Sequence, residues 1–182
     1  MAGFVTFALR KATLEDRSAL ERLIAESARG LSRTDYTAAQ VEAALGSAFG
    51  VDTELIHDGT YFVAEADSGI VGCGGWSRRA TLFGSDAQPG RRSELLDPGH
   101  DSARIRAFFV HPDWARRGIG RAILEKCESE AKEHGFRSAE LLATLPGERF
   151  YRALGYSGSE RVEHRLRDGV PIEFVPMKKD LA

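Results

Sequence analysis

The short stretch RRGIGR combines three arginines with two glycines, which have no side chain to cover the backbone. Its members are Arg116, Arg117, Gly118, Ile119, Gly120 and Arg121. The apolar spacing that follows predicts a helix, and a helix N-terminus offers unpaired N–H groups and the positive end of a dipole to an anion. The glycines let an anion approach the backbone, and the arginines add charge. We therefore predict a phosphate cradle at residues 116–121.

The spacing of the two glycines distinguishes several kinds of phosphate site. In G-x-G-x-x-G dinucleotide loops a third glycine follows, but Ile123 stands at that position. The pattern G-x-x-x-x-G-K-S/T of nucleoside triphosphate loops does not occur in the sequence. The glycines alone fit a structural turn with solvated arginines as well as they fit an anion site. A general phosphate- or nucleotide-binding domain therefore stays open at this point.

The composition is typical of a globular domain with no strong charge bias. Of 182 residues, 42% are hydrophobic and 29% are charged, and the formal net charge is −2. This length predicts one domain over residues 1–182. Domains that bind nucleic acid are usually basic, so we expect no nucleic-acid partner.

The two cysteines and the N-terminal residues provide predictions about metal binding and about the cellular location of the protein. Cys73 and Cys127 form no C-x-x-C pair and no zinc-ligand spacing with histidine, so we predict free core thiols and no metal. Free thiols are typical of reducing compartments. No basic segment followed by an apolar leader begins the sequence, and no apolar run approaches the ~20 residues of a membrane helix. We expect a cytoplasmic protein without membrane contact.

The cradle requires a strand before it and a helix after it, and the sequence supplies both. RIRAFFV precedes it, and helical apolar spacing runs on to about His134, where Gly135 ends the helix. Other strand-like segments are FVTFALRKA (Phe4–Ala12), TYFVAEAD, GIVGCGGWS, RSAELLAT and two around Asp168–Gly169. Further helices are predicted after Thr13, with Asp16 completing a capping box, after Thr37 and at GERFYRAL.

This order of elements, β-α-α-β-β-loop-β-α-β-α-β-β, predicts a mixed sheet in an α/β or α+β domain. Strand, helix and strand across residues 104–143 form a βαβ unit, which requires a parallel pair. Asp67–Gly69 has the composition of a hairpin turn, and Asp168–Gly169 that of a type I′ turn. The polar loop at 78–103 is long enough to be functional or mobile. Its arginines are expected to form a solvated face rather than to orient an acidic acceptor: Arg78, Arg79, Arg91 and Arg92.

Two stretches resemble the signatures of the GNAT superfamily of N-acetyltransferases. IRAFFVHPDWARRGIGRAILEKCESEA is similar to the acyl-CoA-binding motif, and GERFYRALGY to the pattern F-Y-x-x-x-G-F/Y. LRKATLEDRSAL and TYFVAEADSGIVGCGGW resemble the first three strands and the first helix, so the likeness covers nearly the whole chain in order. Three positions depart from it: Ala115 replaces Gln or Arg, Pro146 replaces Asn, and RIRAFFV contains no carboxylate.

The resemblance implies a mostly antiparallel sheet of about seven strands with a central parallel pair, flanked by about four helices. It also implies acetyl-CoA as cosubstrate, with the pyrophosphate at residues 116–121 and the pantetheine arm along the strand that ends at Phe109 and Val110. An N–H near these two residues would polarise the thioester carbonyl. Tyr151 would protonate the leaving thiolate, and the acceptor would be a primary amine of a small molecule or peptide.

The general base is not specified by the resemblance. Candidates are Glu65, Glu94, His100 and Asp101, and a chain of water molecules is an equal alternative. A non-catalytic acyl-CoA-binding module is the alternative function, since the strand carboxylate is missing. Acceptor specificity is expected in residues 29–58 and 78–103, and the oligomeric state is not specified.

Aromatic and other residues around the motifs are expected to be structural. Phe150 and Tyr156 are predicted to pack in the core, and His111 and Trp114 to flank the cradle without a chemical role. Compared with Tyr151, His111 and Cys127 are expected toward the pyrophosphate end of the site.

Overall fold

The computed structural model describes residues 6–182, so the first two residues of the predicted strand Phe4–Ala12 lie outside the described part. The strands are β1 Ala8–Lys11, β2 Tyr61–Ala66, β3 Gly69–Ser77, β4 Ala103–Val110, β5 Ser138–Thr144, β6 Val162–Arg165 and β7 Pro171–Asp180. The helices are α1 Arg17–Leu31, α2 Ala38–Ala44, α3 Thr53–His57, α4 Ile119–Glu133 and α5 Glu148–Ala153. Short 3-10 turns, Leu14–Asp16 and Pro112–Trp114, precede α1 and α4.

The strands form one sheet in the order β1-β2-β3-β4-β5-β7-β6, with β4 and β5 parallel and the other neighbours antiparallel. The predicted mixed sheet of seven strands with a central parallel pair is therefore confirmed. The β4–β5 register contains the pairs Ala103↔Ala139 and Arg104↔Glu140, and the Arg104–Glu140 ion pair joins the strands there. Beyond these pairs the two strands separate.

Helices cover both faces of the sheet and divide the core into two layers. On one face α4 buries Ile119, Ile123 and Leu124 against β2, β3 and β4, together with α5. On the other face α1 buries an apolar stripe that includes Leu20 and Ile24. Each fully buried Leu or Ile contributes about 1.5–3 kcal/mol through removal of apolar surface from water. The layers therefore fix β4 between α1 and α4.

Local signals in the sequence correspond to most helix boundaries. The predicted capping box forms before α1, where the Thr13 N–H donates to Asp16 at 2.8 Å. Thr37 caps α2 as predicted, although that helix ends earlier than its apolar spacing suggested. The helix α3 was not predicted, because its five residues are too few to show a helical period.

The predicted type I′ turn at Asp168–Gly169 is wrong. That turn needs positive φ at both central residues, and among the described residues the non-glycine positions with positive φ are Ala107 and Arg116. Gly169 alone has positive φ here, at +75°, and its N–H donates to the Leu166 carbonyl at 2.8 Å. The chain therefore uses a longer turn that closes with one left-handed glycine.

The long loop is fastened to the body by two of its arginines. Arg79 donates to both oxygens of Asp58 at 2.7 and 2.9 Å, and Arg91 donates to Asp52 at 2.9 Å. Asp52 is fully buried. These arginines are anchors of the loop, so the predicted solvated face is wrong for Arg79 and Arg91. Arg92 fits that prediction, since it is exposed and pairs with Glu94 within the loop.

Candidate active site

The cradle has the backbone geometry of an anion-binding nest. Gly118 caps α4 in the left-handed region at φ +84°, and Arg116 two residues earlier is also left-handed at φ +63°. Alternation of left- and right-handed residues turns successive N–H groups toward one point, where they suit an anion. A non-glycine residue in this region costs about 1–3 kcal/mol, and such strain clusters at functional sites. The left-handed residues of the nest therefore directly precede the N-terminus of α4.

The two cradle glycines serve different purposes. A Cβ added at Gly118 would meet no atom within 4 Å, so this glycine is needed for its backbone conformation and leaves the approach open. A Cβ added at Gly120 would lie 3.0 Å from Cζ of Phe150. Gly120 therefore lets α5 pack closely on α4, which is a different reason for glycine from the anion access that the sequence suggested. Phe150 is the packing residue that was expected.

Positive side chains surround the nest. The guanidinium of Arg117 stacks over the Trp114 ring at 5.0 Å, so Trp114 orients a charged group. Arg116 is exposed, and Arg121 makes a weak contact of 3.9 Å with Glu125 on the exposed side of α4. The arginines therefore remain able to turn toward a phosphate.

Strand β4 contains a bulge that the sequence did not reveal. Cys73 of β3 pairs with Phe109, whereas Gly75 pairs with Arg106, so two residues of β4 stand opposite Gly74. These two residues, Ala107 and Phe108, are called the bulge below. Ala107 adopts φ +57°, an uncommon conformation for a residue with a side chain. Bulges often occur next to active sites because they redirect backbone groups.

Beyond the pair Arg104↔Glu140 the ends of β4 and β5 are not paired with each other, and the gap between them is called the β4–β5 cleft below. Residues 107–110 of β4 are partly exposed, and so are Leu142 and Thr144 of β5. Phe109 is paired in register with Cys73 of β3, and the Val110 N–H donates to the Ser27 hydroxyl of α1 at 3.2 Å. One of the two N–H groups expected to act on a thioester is therefore already bonded to α1.

Tyr151 lies on α5 inside an aromatic group at the bulge. Its ring centroid is 6.1 Å from Phe108, 4.9 Å from Phe150 and 5.7 Å from Tyr156, which is buried as expected. Only 9% of Tyr151 is exposed, and burial raises the pKa of its phenol well above the usual range, so the group keeps its proton at neutral pH. The neighbouring Cys127 thiol acts in the same direction. Cys127 is buried in the same core layer as Tyr151.

The candidate bases are engaged in surface contacts. Glu65 pairs with Arg10 at 2.8 Å, Glu94 pairs with Arg92, and Asp101 accepts the Asp97 N–H at 2.8 Å. His100 is 84% exposed and bonded to Asp97 at 2.7 Å. His111, beside the cradle, accepts the Asp113 N–H and pairs with Glu26 at 3.2 Å. None of these contacts directs a base toward the bulge.

A buried ion pair that the sequence did not suggest lies directly before the bulge. Arg106, 1% exposed, donates through Nη2 to the Gly84 carbonyl of the long loop at 2.6 Å, and the same atom forms an ion pair with Asp52 Oδ2 at 2.6 Å. Asp52 also accepts the Glu54 N–H at the start of α3. Asp52 thereby brings a carboxylate beside β4, whose own residues include none.

The family model of the GNAT acetyltransferase domain matches residues 57–157, which include β2 to β5, the cradle, the bulge and Tyr151. The chain belongs to the GNAT acetyltransferase family. A protein described as an uncharacterized N-acetyltransferase of Methanocaldococcus jannaschii is 38% identical over 68 residues, 36% of this chain. The chain matches 30% of the length of that curated relative.

Solved GNAT structures share the fold over the full chain. A GCN5-related N-acetyltransferase from Rhodopseudomonas palustris superposes with a TM-score of 0.71 at 22% identity, covering 96% of each chain. The PaiA N-acetyltransferase of Thermoplasma acidophilum, in complex with coenzyme A, has a TM-score of 0.64 at 16% identity, covering 96% of this chain and 99% of its own. At these identities the likeness concerns the fold.

Two further properties of this GNAT domain concern metals and membranes. Among residues 6–182, no three His, Cys, Asp or Glu side chains are grouped closely enough to hold a metal ion. Over the same residues, none of the helices has the length and apolar character needed to cross a bilayer.

Proposed function

We propose that the protein is an N-acetyltransferase that moves an acetyl group from acetyl-CoA to a primary amine. The observation that supports this proposal is the bulge in β4, which lies against Tyr151 and precedes the left-handed cradle residues Arg116 and Gly118 in the matched part of the chain. The thermoplasmal relative is described as a complex with coenzyme A, which supports the same class of ligand. We expect the whole reaction to take place in a single domain, whose strands run from residue 8 to residue 180.

The cradle residues fit the pyrophosphate of coenzyme A. Gly118 leaves open space above the backbone, and the nest N–H groups with Arg116 and Arg117 supply donors and charge. The partly exposed edge of β4 at Phe109 and Val110 would pair with the amides of the pantetheine arm, as an added strand does. For Val110 this pairing requires Ser27 to release its N–H.

In the proposed reaction the neutral amine nitrogen attacks the thioester carbonyl carbon. The bulge N–H stabilises the oxygen that becomes negative in the tetrahedral intermediate. The C–S bond then breaks, the amine loses a proton to solvent or a bound water, and Tyr151 donates a proton to the departing thiolate. Solvent reprotonates Tyr151, so the net change moves one proton from nitrogen to sulfur and yields an amide and free CoA.

The structure favours a water-assisted route for deprotonating the amine. The four side chains considered as bases lie in surface contacts, and the bulge is flanked by the Arg106–Asp52 pair instead. The acceptor is a small-molecule or peptide amine that reaches the cleft from the side of the long loop. Two free buried thiols and the use of acetyl-CoA favour the cytoplasm as the location.

Calorimetry and an amine screen test this proposal in sequence. Acetyl-CoA should bind and raise the melting temperature, whereas adenosine should not. At 100 times its Kd, bound acetyl-CoA should add about 2.7 kcal/mol to the free energy of unfolding. A larger effect from ATP or NAD would favour a nucleotide-binding domain. A library of amines, read by release of free thiol, then identifies the acceptor. Binding of acetyl-CoA with no amine-stimulated thiol release would favour a non-catalytic acyl-CoA-binding module.

A further inference from the structure

The carbonyl of Ala107 in the bulge is held by two buried side chains from neighbouring strands. The Tyr61 hydroxyl on β2 lies 3.3 Å from this oxygen, and the Cys73 thiol on β3 lies 3.6 Å from it. The hydroxyl and thiol are also 3.2 Å apart, so the three groups form one small network. Tyr61 and Cys73 are both fully buried. Such a network in a low-dielectric interior is electrostatically stronger than it would be in water.

Holding this carbonyl also fixes an N–H group. A trans peptide is planar, so the Ala107 C=O and the Phe108 N–H point in opposite directions. The carbonyl points toward Tyr61 in the layer beneath α1, whereas Phe108 packs with Tyr151 in the layer beneath α4. The Phe108 N–H is thereby turned away from Tyr61 and toward the side of the sheet that carries Tyr151.

The left-handed conformation of Ala107, which turns the Phe108 N–H in this direction, costs free energy unless neighbouring groups hold it in place. Ala107 at φ +57° carries a strain that persists only where its surroundings impose it. Arg106 immediately before it is fixed by Asp52 and Gly84, and Phe109 after it is fixed by its pairing with Cys73. Between these fixed ends, the peptide plane of the bulge is held by the Tyr61 network. Burial raises the pKa of Tyr61, so its hydroxyl keeps the proton that it donates.

We propose that Tyr61 is a positioning residue for acetyl transfer: by holding the Ala107 carbonyl, it aims the Phe108 N–H at the thioester oxygen. This inference rests on the proposed N-acetyltransferase function. Cys73 is the secondary support of the same carbonyl. Tyr61 itself touches neither substrate, and its contribution is the alignment of a donor that must be in place before charge develops on the oxygen.

The primary test is Tyr61→Phe, which removes the hydroxyl and keeps the ring. Complete loss of such a donor costs about 10²–10³-fold in kcat, and a misaligned donor should cost less, about tenfold to a hundredfold. KM for acetyl-CoA should hardly change, because the cradle is untouched. The matched control is Tyr156→Phe, which also removes a buried hydroxyl, bonded to Glu128 at 3.0 Å, but leaves the bulge intact.

An infrared measurement tests alignment without any acceptor. Acetyl-CoA labelled with ¹³C at the carbonyl is bound to the wild type and to each variant, and the carbonyl stretch is compared. A hydrogen bond lowers this frequency, so the band of Tyr61→Phe should lie above that of the wild type, while Tyr156→Phe should match it. A purely structural role for Tyr61 would lower the melting temperature without moving the band.

A second pair of variants keeps the inference testable if Tyr61→Phe folds poorly. Cys73→Ala should raise the band slightly and lower kcat several-fold, and Cys73→Ser, which retains a donor, should restore both. An unchanged band and kcat in Tyr61→Phe, or equal losses in Tyr156→Phe, would overturn the inference while leaving the proposed function standing. Failure of the wild type to bind acetyl-CoA would remove the proposed function and this inference with it.

Discussion

The cradle and the bulge both lie near the C-terminal end of β4 but are held in opposite ways. The cradle is built from consecutive residues at the surface, with its charges in solvent and its shape set by two left-handed residues, Arg116 and Gly118. The bulge is buried from the side of α1 and depends on side chains from β2, β3 and the segment before α3. The first region is suited to capture a ligand, and the second is suited to hold one peptide plane still.

Because of this difference, we expect the cradle to determine ligand affinity, and the bulge to determine the alignment of the peptide group and the stability of the fold. Changes in the cradle should alter affinity and salt dependence with little effect on folding, because exposed charges contribute little to stability. Changes around the bulge should alter kcat or the free energy of unfolding, because buried polar groups are costly when a partner is lost. The following predictions test that division from the largest expected effect to the smallest.

The largest effect is expected for Tyr151→Phe, which should lower kcat by about 10²–10⁴, the usual contribution of one positioned acid. The ring and its packing against Phe108 and Phe150 are retained, so the melting temperature and the Kd for acetyl-CoA should stay close to those of the wild type. Steady-state kinetics with the identified acceptor provide the measurement. A variant with a nearly normal kcat would show that the thiolate takes its proton from water.

A large loss of stability is expected for Asp52→Ala. This change leaves Arg106 buried without its carboxylate and also frees Arg91, and breaking a buried pair from one side costs about 3–5 kcal/mol. Urea unfolding measures the change. The control is Glu94→Ala, which breaks the exposed contact with Arg92 and should hardly change the free energy of unfolding. Similar stability for the two variants would remove the support assigned to the bulge.

The sequence revealed the cradle because its determinants are consecutive. The types and spacing of Gly118 and its neighbouring arginines are enough to predict a helix start and an anion site. The bulge had no such signal, because nothing in RAFF marks Ala107 for a left-handed conformation. The hydroxyl that contacts its carbonyl belongs to Tyr61, which lies in a different strand and has the sequence pattern of an ordinary apolar strand position.

The same distinction explains which parts of the fold were foreseen. Periodic segments and turn glycines such as Gly135 specify strands, helices and their order, so the sheet and its parallel pair could be derived. The pairing of Asp52 with Arg106 joins residues far apart in the chain, and no spacing rule connects them. Gly120 was predicted as part of the cradle motif, but its closeness to Phe150 depends on how α5 packs on α4.

A tenfold to hundredfold loss of affinity for acetyl-CoA is expected for Arg116→Glu. The change removes one charge-assisted hydrogen bond to a phosphate, worth about 1.5–3 kcal/mol, and adds repulsion. Stability should hardly change, and the remaining affinity should depend less on salt. Calorimetry at two ionic strengths measures both properties. Arg22→Glu on the exposed side of α1 makes the same charge change and should leave affinity unchanged. Equal losses in both variants would indicate a general charge effect.

A smaller effect is expected in the pH dependence of stability. Burial raises the pKa of Cys73 to about 12 and raises the pKa of Cys127 as well. Above a pH of about 8.5 the unfolded thiols ionise while the folded ones stay neutral. The free energy of unfolding should therefore fall as pH rises, by up to about 1.4 kcal/mol per pH unit for each thiol. Urea unfolding from pH 7 to 10 measures the slope, and Cys73→Ala should reduce it.

The smallest expected effect concerns alkylation rates, and it compares the two regions within one molecule. Cys73 lies beneath the bulge and Cys127 lies on α4, the helix that begins at the cradle. At pH 8.5 a thiol with a pKa of about 12 is ionised in fewer than about one molecule in a thousand, so iodoacetamide should modify native Cys73 very slowly. Tyr61→Phe removes a hydroxyl that donates to Cys73 Sγ at 3.2 Å and lowers the pKa of that thiol, so alkylation of Cys73 should become slower still while that of Cys127 stays the same. Arg116→Glu should change neither rate.

Peptide mass spectrometry after timed labelling follows both sites at once. Equal acceleration at both cysteines in Tyr61→Phe would mean that labelling follows global unfolding, and the local support of the bulge by Tyr61 would then be no stronger than that of any other core contact.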